Sequence, residues 1–172
     1  KMDTIKGMGR ILWVSYNNKA LGSNPNFNDL SHEKLVDLLR SENGWIRDRA
    51  QQVIIAKNLQ SSVSLLETLA FDKSNVLAQI HALHTLNGLN ALTFEFLEKL
   101  VDKVENEASI LAHALVLMED FATEDHISSM KSMAVKLMER KEVMIDLYLA
   151  ASLGDWLSLS KESFFPLLTI LA

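Results

Sequence analysis

The residues best fitted for chemistry fall into two groups. The first is Trp45-Ile46-Arg47-Asp48-Arg49, which packs an indole, two guanidinium groups and a carboxylate into five positions. On a helix Trp45 and Arg49 are four residues apart and share a face, which permits cation–π stacking. Arg47 or Arg49 can also reach an acid of a neighbouring element. Two roles fit the cluster: a fixture that sets packing, or an anchor for a partner, since Trp and Arg lead interface hot spots. The second group is His81, His84 and His113. Neighbouring imidazoles can share a metal ion, but no third ligand stands at a compelling spacing. A packed or hydrogen-bonded ladder of histidines accounts for the same pattern, and no metal is expected.

Other reactive groups give less. Carboxylates pair at Glu95/Glu98, Glu119/Asp120 and Glu124/Asp125, but an acid–base pair needs a concave pocket that drives two pKa values apart. These pairs are expected at helix ends and on solvent faces. The chain has no Gly-x-Ser-x-Gly elbow, no glycine-rich phosphate loop after a strand, and no cysteine. Cysteine nucleophiles, thiolate zinc sites, iron–sulfur clusters and disulfides are thereby excluded within it. Met118, Met130, Met133, Met138 and Met144 fall at apolar or near-apolar helical positions and read as core filler. No catalytic residue and no cofactor is expected in this chain.

The elements that carry these residues repeat. Asn43–Ala50, Asn75–Ala82 and Glu107–Ala114 align on one another at a displacement of 32 positions. His81 and His113 are therefore repeat-equivalent. A helical pattern recurring at roughly 30–47 residues marks an α-solenoid, in which a helix pair cannot bury its apolar face alone. Ser31 is a plausible N-cap for a helix carrying Leu35, Leu38 and Leu39, and Asn43 for one carrying Ile46, Ala50, Val53 and Ile54. Ser62 and Asn75 open the next pair, with Gly88 at the expected C-cap. Thr93 opens a third, running through Val104 and then from Ile110 to Phe121. A fourth runs from Ile127 to Leu137 and from Val143 to Leu153, at an interval lengthened to 35. A further helix starts near Ser160. Small residues recur at Ala50, Ala82 and Ala114, where second helices must approach closely.

Residues 1–30 do not share this period. Ile11-Leu12-Trp13-Val14-Ser15-Tyr16 reads as one β-strand, apolar on both faces, followed by a polar linker. A lone strand of that kind is not stable by itself, so it is expected to complete a sheet encoded upstream. Lys1 is not a translational start, and Phe164–Ala172 stops while still apolar, so a piece of a longer protein is expected. Of 172 residues, 48% are hydrophobic and 23% charged, an ordinary globular composition. The net charge of −5 and the lack of a basic stripe argue against a nucleic-acid partner. From Glu95 to Asp125, nine acids face Lys99 and Lys103, a local net of −7. No segment reaches the ~20 apolar residues of a membrane span.

The local wording carries a resemblance. Residues 35–52, Leu-Val-Asp-Leu-Leu-Arg-Ser-Glu-Asn-Gly-Trp-Ile-Arg-Asp-Arg-Ala-Gln-Gln, resemble the first repeat of the HEAT-like domain in large bacterial secreted dehydrogenase-like proteins. Residues 77–89, Leu-Ala-Gln-Ile-His-Ala-Leu-His-Thr-Leu-Asn-Gly-Leu, are similar to that family's second repeat. Gly9-Arg10-Ile11-Leu12-Trp13-Val14 resembles the closing strand of its N-terminal β-propeller, which is itself similar to sugar (glucose/sorbosone) dehydrogenases. The resemblance covers roughly residues 7–121. It implies a periplasmic or secreted location, an upstream propeller as partner and, in many members, a downstream c-type cytochrome module. The chain holds neither the propeller body nor a Cys-x-x-Cys-His haem motif, so dehydrogenase activity and haem belong to sequence outside it.

The expected fold is all-α: a right-handed HEAT-like α-α superhelix (solenoid) of about four helix pairs over residues 31–172. Residues 1–30 are the terminal strand and linker of an upstream β-propeller domain. The expected function is a non-catalytic scaffold and interaction domain for a protein or polymer partner, with Trp45, Arg47, Asp48, Arg49, His81 and His113 as interaction or repeat-stacking residues. Two alternatives are a stand-alone HEAT-like enzyme such as an alkylpurine DNA glycosylase, and a domain that completes an active site on the propeller.

Overall fold

The computed structural model describes residues 25–103 and 107–171, and every regular element among them is helical. The strand expected at Ile11–Tyr16 lies outside the described residues, as does Val104. The α-helices are α1 (His32–Leu38), α2 (Gly44–Ala56), α3 (Val63–Ala70), α4 (Val76–Gly88), α5 (Phe94–Val101), α6 (Ala108–Met118), α7 (Ile127–Met138), α8 (Val143–Trp156) and α9 (Lys161–Leu171). Short 3-10 turns precede α1, α3 and α7 and follow α6.

Side-chain caps set most of the starts. Asn43 accepts from the Trp45 N–H at 3.0 Å, Asn75 from Ala78 at 3.0 Å and Thr93 from Phe96 at 3.2 Å. Each satisfies a helix donor that has no partner within the helix. Ser31 and Ser160 do the same more loosely, at 3.5 and 3.3 Å. Ser62 departs from expectation. The 3-10 turn Gln60–Ser62 runs straight into α3, which leaves Ser62 fully buried in helical geometry and its hydroxyl capping nothing.

The stops correct a second reading. Gly88 is the last residue of α4, and the left-handed position beyond it belongs to Asn90, with φ 54°. Asn58 takes the same conformation after α2, with φ 48°, and it stands 32 positions earlier. Asn tolerates this region better than most L-residues because its short side chain bonds locally. Gly88 serves a different end. A Cβ there would sit 2.5 Å from Cδ1 and 2.9 Å from Cγ1 of Ile55, so glycine lets the end of α4 lie against α2.

The helices pack in an ordered series. Each odd-numbered helix from α1 to α7 lies on the even-numbered helix that follows it. The even-numbered helices touch in sequence, α2 on α4, α4 on α6 and α6 on α8. On the other side α1 meets α3, α5 meets α7, and α7 meets α9. Phe71 at the end of α3 reaches Phe96 of α5, their ring centroids 5.1 Å apart, with Lys103 4.2 Å over Phe71. Phe94 of α5 stacks flat on His126 before α7, at 3.8 Å. Ion pairs at 2.6 Å join Arg40 after α1 to Asp72 after α3, and Asp102 after α5 to Lys136 of α7. The Ser74 backbone N–H and hydroxyl, then Arg40, hold the Asp72 carboxyl down at about 2.

One core runs the length of this series. Leu35, Leu39, Ile54, Leu66, Leu83, Leu86, Leu97, Leu100, Ile110 and Leu149 are wholly buried, each worth about 1.5–3 kcal/mol relative to exposure. Phe27 belongs to it as well, so residues just before Ser31 pack on α2. Met118, Met130 and Met133 fill it as expected, but Met144 is half exposed. The helix expected from Val143 to Leu153 forms as α8, with Ile145, Leu149, Ser152, Leu153 and Trp156 buried. Val143, Leu147 and Tyr148 stand out from the body.

Replacing Asn58 or Asn90 with Ala is expected to lower unfolding free energy by about 1 kcal/mol each, while Gly at either position is neutral within about 0.5 kcal/mol. Urea denaturation followed by circular dichroism measures both. Equal stability of the Ala and Gly variants would remove the left-handed caps from the account.

Candidate functional site

The structure splits the Trp45–Arg49 cluster into four separate environments. Trp45 begins α2, with its ring edge-on to Phe27 at 5.8 Å and 80°, and half of it remains exposed. The expected stack with Arg49 is not made, for the Arg49 guanidinium donates to the Gln52 side-chain amide oxygen, Oε1, at 3.3 Å. Arg47 points back into its own loop, where Nη1 donates to the carbonyls of Ser41 at 2.7 Å and Glu42 at 3.1 Å. It thus closes the α1–α2 turn rather than bridging to a neighbouring acid. Asp48 is exposed and lies 3.9 Å from the His81 ring.

The histidines converge instead, with a partner that the residue types alone did not single out. Gln51 of α2 accepts from His81 Nδ1 of α4 at 2.7 Å. An amide oxygen has no proton to give, so Nδ1 carries one, and Nε2 lies on the side of the Asp48 carboxylate. One turn further along α4, His84 Nε2 lies 3.0 Å from His113 Nδ1 of α6, the rings perpendicular with centroids 5.0 Å apart. The repeat-equivalent pair, His81 and His113, is not the pair that bonds. Gln51, His81, His84 and His113 form a polar seam that crosses both the α2–α4 and the α4–α6 contacts.

This seam is built for neutral imidazoles. Burial lowers the pKa of all three histidines from the ordinary 6.5. At His81 the Arg47 charge lowers it further while Asp48 raises it, and at His84 the neighbouring His113 and His81 add to the lowering. The His84–His113 bond needs a proton on one nitrogen and a lone pair on the other, so protonating both rings abolishes it.

As chemistry the arrangement offers little. Among the described residues no three His, Asp or Glu side chains gather around one point that a metal could occupy. A groove of about 510 Å³ runs along α2, lined by Arg49, Gln52, Val53 and Lys57, without a carboxylate, hydroxyl or imidazole. A smaller hollow of about 160 Å³ between α5 and α7 holds Glu98, Asp102 and three serines, but Lys136 occupies Asp102. Glu95 starts α5 at the surface, where its own backbone N–H and the Thr93 hydroxyl pull its carboxyl below the usual range. That is opposite to what a proton donor requires. Glu119 accepts from Ser152 of α8 at 3.1 Å.

The seam has a pH signature. Because the folded-state pKa values lie below the unfolded value of 6.5, the unfolded chain takes up protons first as pH falls. Stability is expected to be level above 6.5 and to decline below it until the folded histidines also titrate. Melting temperatures from pH 8 to 5 read this directly, and replacing both His84 and His113 with Leu flattens the decline. An equally steep decline in that double variant would place its origin elsewhere. No relative supplies a role for these residues: compared with known protein families, with characterised proteins and with solved structures, the chain finds no match.

Proposed function

We propose that this chain is a non-catalytic scaffold and interaction domain, a right-handed HEAT-like superhelix of four helix pairs with a further helix, α9. The observation that carries the reading is the order of contacts: α2, α4, α6 and α8 touch in sequence while each is backed by the helix before it. That order is what repeats contacting only their neighbours produce. The 32-residue recurrence of Ala50, Ala82 and Ala114, all without exposure, supports it from the sequence side. So does the chemistry of the candidate site, whose polar groups are spent on joining helices.

The resemblance of residues 7–121 supports reading the domain as one that sits beside a propeller in a secreted dehydrogenase-like protein and holds neighbouring modules in a fixed geometry. The protein isolated from its source is expected to have a mass well above 19.3 kDa and to show a haem Soret band. A colourless polypeptide of about this chain's mass would sink the module reading, though not the scaffold one.

Trp45 tests the role of the exposed face. Its edge contact with Phe27 is a packing interaction of about 0.5–1.5 kcal/mol beyond area burial. Trp45→Ala is therefore expected to lower the melting temperature measurably. An unchanged melt would assign the side chain to a partner instead.

A further inference from the structure

His84 and His113 face each other across the α4–α6 contact, with Nε2 of one 3.0 Å from Nδ1 of the other. The remaining histidines of the chain are turned elsewhere: His32 to Glu33, His81 to Gln51 and His126 to the Phe121 carbonyl. Neutral imidazole is a ligand for Zn²⁺, Cu²⁺ and Ni²⁺. With metal–nitrogen bonds near the ~2.0–2.1 Å of zinc sites, nitrogens 3.0 Å apart subtend roughly 95° at the ion. That is close to the right angle between neighbouring positions of a square-planar or tetragonal site, the geometry of Cu²⁺ and Ni²⁺. A tetrahedral site would need the two nitrogens further apart. In the hydrogen bond one nitrogen is aimed at the other, the rings standing 89° apart. Both lone pairs reach a common point once the rings turn about Cβ–Cγ, a broad torsion in histidine. Both rings are only partly buried, so one side of the pair stays open to solvent.

We propose that His84 and His113 form a two-ligand site for a divalent late transition-metal ion, which joins α4 to α6 in place of the shared proton. Coordination uses both lone pairs. The ring that carries the bridging proton releases it and takes one up at its other nitrogen, so two neutral imidazoles bind the ion with no net loss of protons. Burial keeps both rings neutral near pH 7, and protons then compete weakly with the metal. The Arg47 and Asp48 charges of α2 bear on His81 instead. Among the described residues no third His, Asp or Glu side chain reaches the same point, so water fills the other positions. The site is accordingly weaker than a closed structural one. Among divalent ions Cu²⁺ binds most tightly at such nitrogens, while Mg²⁺ and Ca²⁺ favour oxygen ligands and find none here.

Titration calorimetry of the chain with Ni²⁺ near pH 7, and electron paramagnetic resonance of its Cu²⁺ complex, test this. One ion per chain is expected, with splitting from two imidazole nitrogens in the Cu²⁺ spectrum and no heat from Mg²⁺. His84→Gln and His113→Gln each keep a hydrogen-bonding group but no imidazole, and each is expected to weaken Ni²⁺ binding about tenfold or more, since half the ligand set is gone. Circular dichroism checks that both variants fold, and His32→Gln is expected to bind as the parent does. The two-nitrogen spectrum of the parent chain is read without any substitution, so it decides even where a variant unfolds. A Cu²⁺ spectrum with one nitrogen or none overturns the proposal, and so does Ni²⁺ binding that survives both substitutions undiminished.

Discussion

Ala50, Ala82 and Ala114 have no exposed surface, and each lies on a helix that touches the next one in the row. A buried methyl group takes little room, and small residues of this kind suit helices packed near the short end of the 8–10 Å range. Much else in the fold needs that approach. Gly88 can rest its Cα against Ile55 only because α4 lies so close to α2, and Gln51 reaches His81 for the same reason. A side chain larger by several methylenes at any of the three alanines would overpack a close-packed interior, where the strain has nowhere to go.

The polar seam depends on that spacing and adds direction to it. Apolar packing tolerates small slides of one helix along another, but a hydrogen bond of 2.7 or 3.0 Å does not. The partners are offset in a regular way. Across the row, His84 bonds to His113 at a separation of 29 residues and His81 to Gln51 at 30. The repeat interval is 32. Equivalent residues, one interval apart, point the same way from parallel positions and so do not face one another. A side chain about one turn further along the earlier helix leans across to its neighbour. His81 and His113 therefore look like partners in the sequence, while His84 is the residue that bonds.

Local readings succeeded where the physics is local. Asn43, Asn75 and Thr93 cap as their types and positions imply, because an N-cap is settled within three residues of itself. Ser62 fails for the same reason: the turn at Leu59–Ser62 winds the chain into helical geometry before the serine is reached. Gly88 stands where a C-cap belongs, yet its smallness answers to Ile55, a residue 33 positions away. Gln51 gave no signal by itself, since an amide on a helix is ordinarily a solvent-facing residue. The offset of 29 or 30 between neighbours in the row is the one clue that could have tied it to His81. Val143 and Leu147 show the limit most clearly. Periodicity reports that a face is apolar and says nothing about whether another helix lies over it.

That limit bears on how such a fold comes by its function. Along the open side of the row, equivalent positions run Trp45, Leu77, Ser109, Met144, with Arg49, His81, His113, Tyr148 beside them. In the second set the side chain passes from a guanidinium through two imidazoles to a phenol, while the first set follows no such order. In the middle of this strip His81 and His113 are partly sheltered and belong to the seam, while Leu77 beside them is half exposed. The surface of the row can therefore change its chemistry from one helix to the next while the buried positions beneath it stay apolar or small.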